Sequence, residues 1–259
     1  MGIESIPNCI NGLNGLKELS IFCCPKLTSL PELPRSLTSL TVYKCESLET
    51  LEPLPFGSQI VDLSFPDCFR LGREARRVIT QQSSRVCLPG RNIPAEFHHR
   101  AIGNFLTIYS DAYQFKLCAV VSPKQVRVEE DHGIELLCHI LINGSPMKSP
   151  MKSRYDLEIT IQSEHLFIFP STMLKEDQQL EQHSKILFKF STTSQNMEII
   201  KCGVQVLRDR TDRSRCKSWE SKSEQLLEDD DESLYGSLDY DAPRVDTIKD
   251  FAKRLQACK

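Results

Sequence analysis

Apolar residues recur along the first seventy positions with a period of 21. Residues 16–34 (LKELSIFCCPKLTSLPELP) lie on residues 37–55 (LTSLTVYKCESLETLEPLP), with Leu16 on Leu37, Leu19 on Leu40, Ile21 on Val42, Cys24 on Cys45, Leu27 on Leu48, Leu30 on Leu51 and Leu33 on Leu54. A third copy, Ile60, Leu63, Phe65, Cys68 and Leu71, arrives two residues late, and Phe56-Gly57 is where the insertion fits. Ile3, Ile6-Pro7 and Ile10 read as the tail of an earlier copy. The pattern L-x-x-L-x-L-x-x-N/C-x-L at this length predicts leucine-rich repeat coils over residues 1–71, stacked as a short solenoid because one coil alone cannot bury its apolar side. Cys24, Cys45 and Cys68 take the turn position, where a thiol acts as a small, weakly polar hydrophobe.

If Leu19 and Ile21 point inward, their neighbours point to the concave face. The expected binding residues are therefore Glu18, Ser20 and Phe22, then Ser39, Thr41 and Tyr43, then Asp62 and Ser64. Phe22 and Tyr43 are expected to stack in one column as an exposed aromatic pair, either a protein-binding hot spot or a cover for neighbouring coils. The repeat pattern is already running at the first residues, so a cap from upstream repeats or a partner is expected, with poor stability or self-association without it.

Over residues 72–82 the spacing changes to that of a helix. Leu71, Ala75, Val78 and Ile79 share one side of LGREARRVITQQ, and Arg73, Arg76 and Arg77 lie mostly off it, as a solvated face. From 83 to 207 short apolar runs alternate at period two, as in Leu136, Cys138, Ile140 and Ile142, or Ile200, Cys202, Val204 and Val206. Eight strands are expected, at 85–88, 105–109, 115–122, 134–142, 155–161, 165–169, 185–191 and 198–207, with no long helix between them. That texture predicts an antiparallel β-sandwich. The fold class is thus mostly β, or α+β. Residues 208–245 carry charge in blocks, seven of the thirteen residues 220–232 being acidic, and are expected to form a disordered linker. Ile248, Phe251, Leu255 and Cys258 then predict an amphipathic helix over 246–259.

The net charge of −3 removes the global basic field of a nucleic-acid binder, and no apolar run approaches the roughly 20 residues of a membrane helix. Neither nucleic acid nor membrane is expected as a partner, and the expected location is the cytoplasm or nucleus. The eleven cysteines include no C-x-x-C pair, and His98, His99, His132, His139, His165 and His183 show no metal-ligand spacing. There is no G-x-x-x-x-G-K-[ST] loop, G-x-G-x-x-G turn, G-x-S-x-G elbow or H-E-x-x-H helix, so no catalytic residue, cofactor or metal is expected. A doubled Ser-Pro-Met-Lys unit makes Ser145 and Ser149 candidate phosphorylation sites beside Lys148, Lys152 and Arg154, within an expected flexible insertion.

One stretch is more specific. Cys87-Leu88-Pro89-Gly90-Arg91-Asn92-Ile93-Pro94-Ala95-Glu96-Phe97, followed by His99-Arg100-Ala101-Ile102-Gly103-Asn104 and Leu106-Thr107-Ile108, resembles the domain that follows the repeats in plant TIR-NBS-LRR disease resistance proteins. Phe65-Pro66-Asp67-Cys68-Phe69, Leu117–Ser122, His165–Phe169 and Lys201–Val206 extend the resemblance over roughly residues 1–207. It implies a jelly-roll or Ig-like sandwich that works with the repeats to bind a pathogen effector or other receptor domains, in an intact receptor that oligomerises and cleaves NAD through an N-terminal domain. The expected role is that of a protein-binding sensor region and not an enzyme. The alternatives are a stand-alone truncated adaptor or decoy, or a chain credited with the parent receptor's NAD hydrolase activity. Phe105 replaces the small polar residue more usual before Leu-Thr-Ile, which leaves the facing of that strand open.

Overall fold

A computed structural model describes residues 3–55, 58–112, 114–124, 133–155, 161–172 and 184–207. The segments expected as an acidic linker and a tail helix lie outside the described residues, as do residues 156–160 of one expected strand. The chain is mostly β, with one α-helix among the described residues.

After a 3-10 turn at Asn8–Gly12 come β1 (Glu18–Phe22), β2 (Ser29–Leu30), β3 (Ser39–Tyr43), β4 (Thr50–Leu51) and β5 (Asp62–Ser64), then the helix α1 (Arg73–Gln82). The remainder is β6 (Arg85–Pro89), β7 (His99–Ile102), β8 (Phe105–Tyr109), β9 (Gln114–Pro123), β10 (Ile134–Ile142), β11 (Ser145–Pro146), β12 (Met151–Tyr155), β13 (His165–Thr172), β14 (Lys185–Thr192) and β15 (Met197–Val206).

The 21-residue period becomes a parallel ladder in which Leu19 faces Leu40 and Ile21 faces Val42, and β2 and β4 form a second short parallel pair one half-period on. Every apolar position of the third copy is buried, from Ile60 through Leu71. Cys45 and Cys68 are fully buried, with their Sγ atoms 3.6 Å from the Tyr43 carbonyl and 3.2 Å from the Val42 carbonyl. At each rung the residue before the cysteine turns left-handed, Cys23 at φ 51°, Lys44 at 51° and Asp67 at 58°.

The ladder does not stop at the third copy. β6 pairs in parallel with β5, Asp62 facing Arg85 and Ser64 facing Cys87, and on its other edge pairs antiparallel with β13. One eight-stranded sheet therefore runs β1-β3-β5-β6-β13-β9-β15-β7, parallel as far as β6 and antiparallel beyond it. Gly90 continues the row of left-handed residues at φ 106°, a value that only glycine adopts without strain. The second sheet runs β11-β10-β14-β8, with β12 also on β10, and faces the antiparallel half of the first. Phe115 meets Phe188 at 5.2 Å between ring centroids, Phe169 meets Phe190 at 6.4 Å and Tyr155 meets Phe167 at 4.8 Å.

The back of the large sheet is closed by α1 and the Leu-Pro-Gly segment. Phe97 is fully buried in the same apolar cluster as Leu40, Leu63 and Cys118. Arg100 holds the loop by donating to the carbonyls of Phe97 (2.6 Å), Pro94 (3.1 Å) and Ala95 (2.9 Å). Gly203 lets this segment lie close, because a Cβ there would sit 2.8 Å from Cys118 Sγ and 3.3 Å from both His99 O and Ile93 Cγ2. Gly203→Ala is expected to lower stability by about 1–3 kcal/mol in chemical denaturation, the usual cost of overpacking a filled core.

Four expectations are corrected. β7 belongs to no expected strand, since its residues are exposed or half-buried and carry no apolar alternation. β12 starts at Met151, four residues earlier than expected, because Lys152 and Arg154 face out while Ser153 and Tyr155 face in, and an inward serine hides the period. The doubled Ser-Pro-Met-Lys unit thus supplies residues to β11 and β12 and is not merely an insertion. Arg76 is half-buried and not part of a free solvated face, its guanidinium donating to the carbonyls of Leu71 (3.0 Å) and Pro89 (2.8 Å). The facing of β8 is also decided, with Leu106 and Ile108 inward and Phe105 outward.

Candidate protein-binding face

The register that buries Leu19, Leu40, Leu63 and Val86 on one side of the parallel strands sets rows of other residues across the opposite side. Glu18, Ser39, Asp62 and Arg85 form one row, and Ser20, Thr41, Ser64 and Cys87 the next. Phe22 and Tyr43 stand opposite each other at the strand ends. All eight residues expected on this face are on it.

Their exposure differs from expectation. Tyr43 is only 7% exposed and Ser64 only 8%. The Phe22 and Tyr43 rings lie 6.5 Å apart at 48°, so they touch, but Phe22 alone remains half-buried and Tyr43 is covered. The left-handed turn at Asp67 explains this, since it brings a carboxylate to the Tyr43 hydroxyl. Burial, then the charge of Asp67, raises the Tyr43 pKa above the ordinary phenol value, so the ring stays neutral.

Asp62 is not an open acid either. It lies 3.2 Å from Arg85 Nη1, and the Arg85 guanidinium sits 5.1 Å from the centroid of the Tyr155 ring while also donating to the Arg154 carbonyl. Tyr155 is fixed in turn by donating to Ile168 O at 2.6 Å, and burial pushes its pKa up. β12 therefore stands as a wall at the β5–β6 end of the face, tied to the floor by Arg85. The part left open is the exposed carboxylate of Glu18 with the half-buried Ser20, Phe22, Ser39 and Thr41.

Arg85, Arg154 and Tyr155 are absent from the sequence-based set because they come from beyond the three repeats. A signal for Arg85 was present. Val86, Leu88 and Pro89 follow Leu63, Phe65 and Pro66 by 23 residues, the same step that separates Leu40 and Val42 from Leu63 and Phe65. The wall has no such signal, since β12 reaches β6 only through the packing of two sheets.

Beside the face, the turn at Asp67 is locked by His165. The imidazole is fully buried, with Nδ1 2.9 Å from Ser163 O and Nε2 accepting the Asp67 backbone N–H at 3.1 Å. A ring that donates at one nitrogen and accepts at the other is neutral. Burial lowers its pKa, outweighing the Ser163 carbonyl and the Asp67 carboxylate, which lies 3.4 Å from Nε2 and acts in the opposite sense.

Four of the buried thiols are held protonated, Cys24 rising to about 11 and Cys202 to about 12 through loss of solvation, with Cys118 and Cys138 raised for the same reason. Among the described residues no three His, Cys, Asp or Glu side chains cluster as metal ligands, and no helix is long and apolar enough to cross a membrane. What the open face offers is hydroxyls, one carboxylate and an aromatic edge over a rigid floor, groups suited to hydrogen bonding and shape recognition. Ser145 and Ser149 are exposed, Ser145 opposite Ile142 at the end of β10 and Ser149 in the connection between β11 and β12.

No family model matches the chain. It is similar to the disease resistance protein RML1B of Arabidopsis thaliana, 39% identical over 88% of this chain and 22% of that protein. The disease resistance protein RML1A of the same plant is 35% identical over 83% of this chain and 22% of its own length. The probable disease resistance protein RPP1 is 27% identical over 78% and 17%. The chain spans about a fifth of the length of these relatives. A β-glucosidase from Paenibacillus barengoltzii overlaps 40% of this chain with a TM-score of 0.25, too low to say anything of the fold.

Proposed function

We propose, from the premise that this chain belongs, over the stretch it shares with them, to the plant disease resistance proteins of the TIR-NBS-LRR type, that it serves plant defence as a protein-recognising region. In this reading the parallel rungs are the last coils of a leucine-rich repeat solenoid. The two packed sheets are the jelly-roll or Ig-like domain that follows it, and a pathogen effector is held in the corner between them. The observation that carries the reading is β6, one strand that is at once the fourth rung of the parallel ladder and the first strand of the sandwich. It makes the floor continuous with the first sheet of the sandwich, to which the β12 wall is tied through Arg85, and a preorganised surface binds without the entropic cost of ordering itself. Tyr43 and Tyr155 at the corner are held neutral, and Cys87 is buried with its pKa raised by loss of solvation.

The test uses the chain as bait against a library of secreted pathogen proteins, followed by variants of the open residues. Glu18→Lys with Thr41→Arg, both at positions away from the apolar core, is expected to weaken a captured partner at least about tenfold, the scale of one hot-spot loss, with no change in melting. A partner held at full affinity by that double variant removes this face from the reading.

A further inference from the structure

The outer face of the second sheet has a composition unlike the rest of the surface. On β8, Phe105 and Tyr109 point outward and are 60% and 64% exposed. Each stands opposite a lysine of β14, Phe105 facing Lys189 and Tyr109 facing Lys185. His139 of β10 faces Lys189 from the other side, Leu141 faces Leu187 in the next row, and Lys152 of β12 faces Leu137. The cations Lys152, Lys185 and Lys189 are exposed, and none has a carboxylate partner among the described residues. The acid on these strands, Glu135, stands opposite Arg154. A sheet face that reads aromatic, lysine, leucine in rows is expensive to leave in water on its apolar part and unbalanced on its charged part.

The same chain carries the complementary chemistry. Seven of the thirteen residues 220–232 are acidic, and within and just after them come Leu226-Leu227 and Leu234-Tyr235. Twelve residues, 208–219, separate this run from Leu207, the last described residue, which follows β15 directly. At roughly 3.3–3.6 Å per residue that tether reaches about 40 Å. The route is shorter. β15 is one strand in from the β7 edge, strands lie about 4.8 Å apart and packed sheets about 10 Å, so the β8 edge of the second sheet is within reach.

We propose that the outer face of the second sheet, spanned from edge to edge by Phe105 and Tyr109 of β8, Lys185 and Lys189 of β14 and Lys152 of β12, is the docking surface for the chain's own acidic segment 220–232. Carboxylates of the segment pair with the three lysines, and its leucines cover Leu141, Leu187 and the two aromatic rings. Single exposed ion pairs contribute little, so it is the combination of several pairs with apolar cover that holds the segment. The inference is independent of the effector reading, because this face is on the outside of the second sheet and the proposed corner is beyond its other side.

The chain supplies its own probe. Trp219 is its single tryptophan and abuts Glu220. Acrylamide quenching of Trp219 in the whole chain is expected to rise about twofold at about 1 M salt, where the screening length falls to about 3 Å, and equally in the variant Lys185→Glu/Lys189→Glu at low salt. Adding Glu228→Lys/Asp230→Lys to that variant restores the protection. Unchanged quenching in the lysine variant overturns the proposal, since the acidic run then pairs elsewhere. Protection that disappears on dilution also overturns it, as the occupant is then a second copy. Displacement of the segment by an acidic peptide only in large excess supports it, since a tethered occupant is held at high effective concentration. An undisturbed Trp219 while a single-stranded RNA binds the lysine face shows that the face belongs to a nucleic acid, and overturns it as well.

Discussion

Phe167→Ala lowers the free energy of unfolding by about 3–5 kcal/mol, the range for deleting a buried phenylalanine. The ring is fully buried on the central strand β13, where its ladder neighbours are Cys87 of β6 and Ala119 of β9. Across the core it meets the edge of Tyr155, the residue whose ring carries Arg85 and so ties the β12 wall to the floor. Neither neighbour along the sheet is large enough to fill the space, so the cavity stays and its full cost is felt. Because β6 is common to the parallel and antiparallel halves, urea unfolding of the variant is expected to remain one transition at lower midpoint, with amide exchange of Leu40 and Leu63 rising together with that of Val120. Two separate transitions, with Leu40 and Leu63 unaffected, would mean that the continuous sheet does not couple the halves.

His165→Ala is expected to cost about 2–5 kcal/mol, since it opens a cavity and leaves the Asp67 N–H and the Ser163 carbonyl without their buried partner. A second consequence is pH dependence. The folded pKa is lowered from 6.5 by burial, with Arg76 contributing in the same sense and Asp67 against it. The unfolded chain therefore takes up a proton before the folded one does. The stabilisation from the neutral ring is fully present above about 6.5 and is lost as pH falls from there through the lowered folded value. Urea midpoints measured from pH 8 to pH 5 should decline below 6.5 for the native chain, and His165→Ala should flatten that decline. A native chain whose midpoint rises on acidification would mean that the ring is charged and paired with Asp67.

The two sequence patterns were legible for different reasons. A period of 21 with leucines at fixed offsets has one packing solution, so Leu19, Leu40 and Leu63 had to fall in register, and the polar residues between them had to share the other face. The alternation in β10, β14 and β15 marked half-buried strands in the same direct way. β7 was not legible, because an exposed edge strand carries no burial pattern to read, and β12 was not, because a serine takes one of its inward places.

The candidate site divides along the same line. Sequence alone determined which eight residues line the face of the parallel rungs and carried the resemblance of the Leu-Pro-Gly segment to plant disease resistance proteins, since periodicity and local motif are properties of neighbouring residues. Tertiary structure decided how much of that face is open. Tyr43 is covered by Asp67 from the next rung, Asp62 is paired with Arg85 from the following strand, and Arg85 is held by Tyr155 from the opposite sheet, 70 residues further along the chain. The first two contacts join neighbouring strands of one sheet, Asp62 and Arg85 standing one 23-residue step apart, but Tyr155 shares no period with Arg85, and only the packing of one sheet on the other brings those two together.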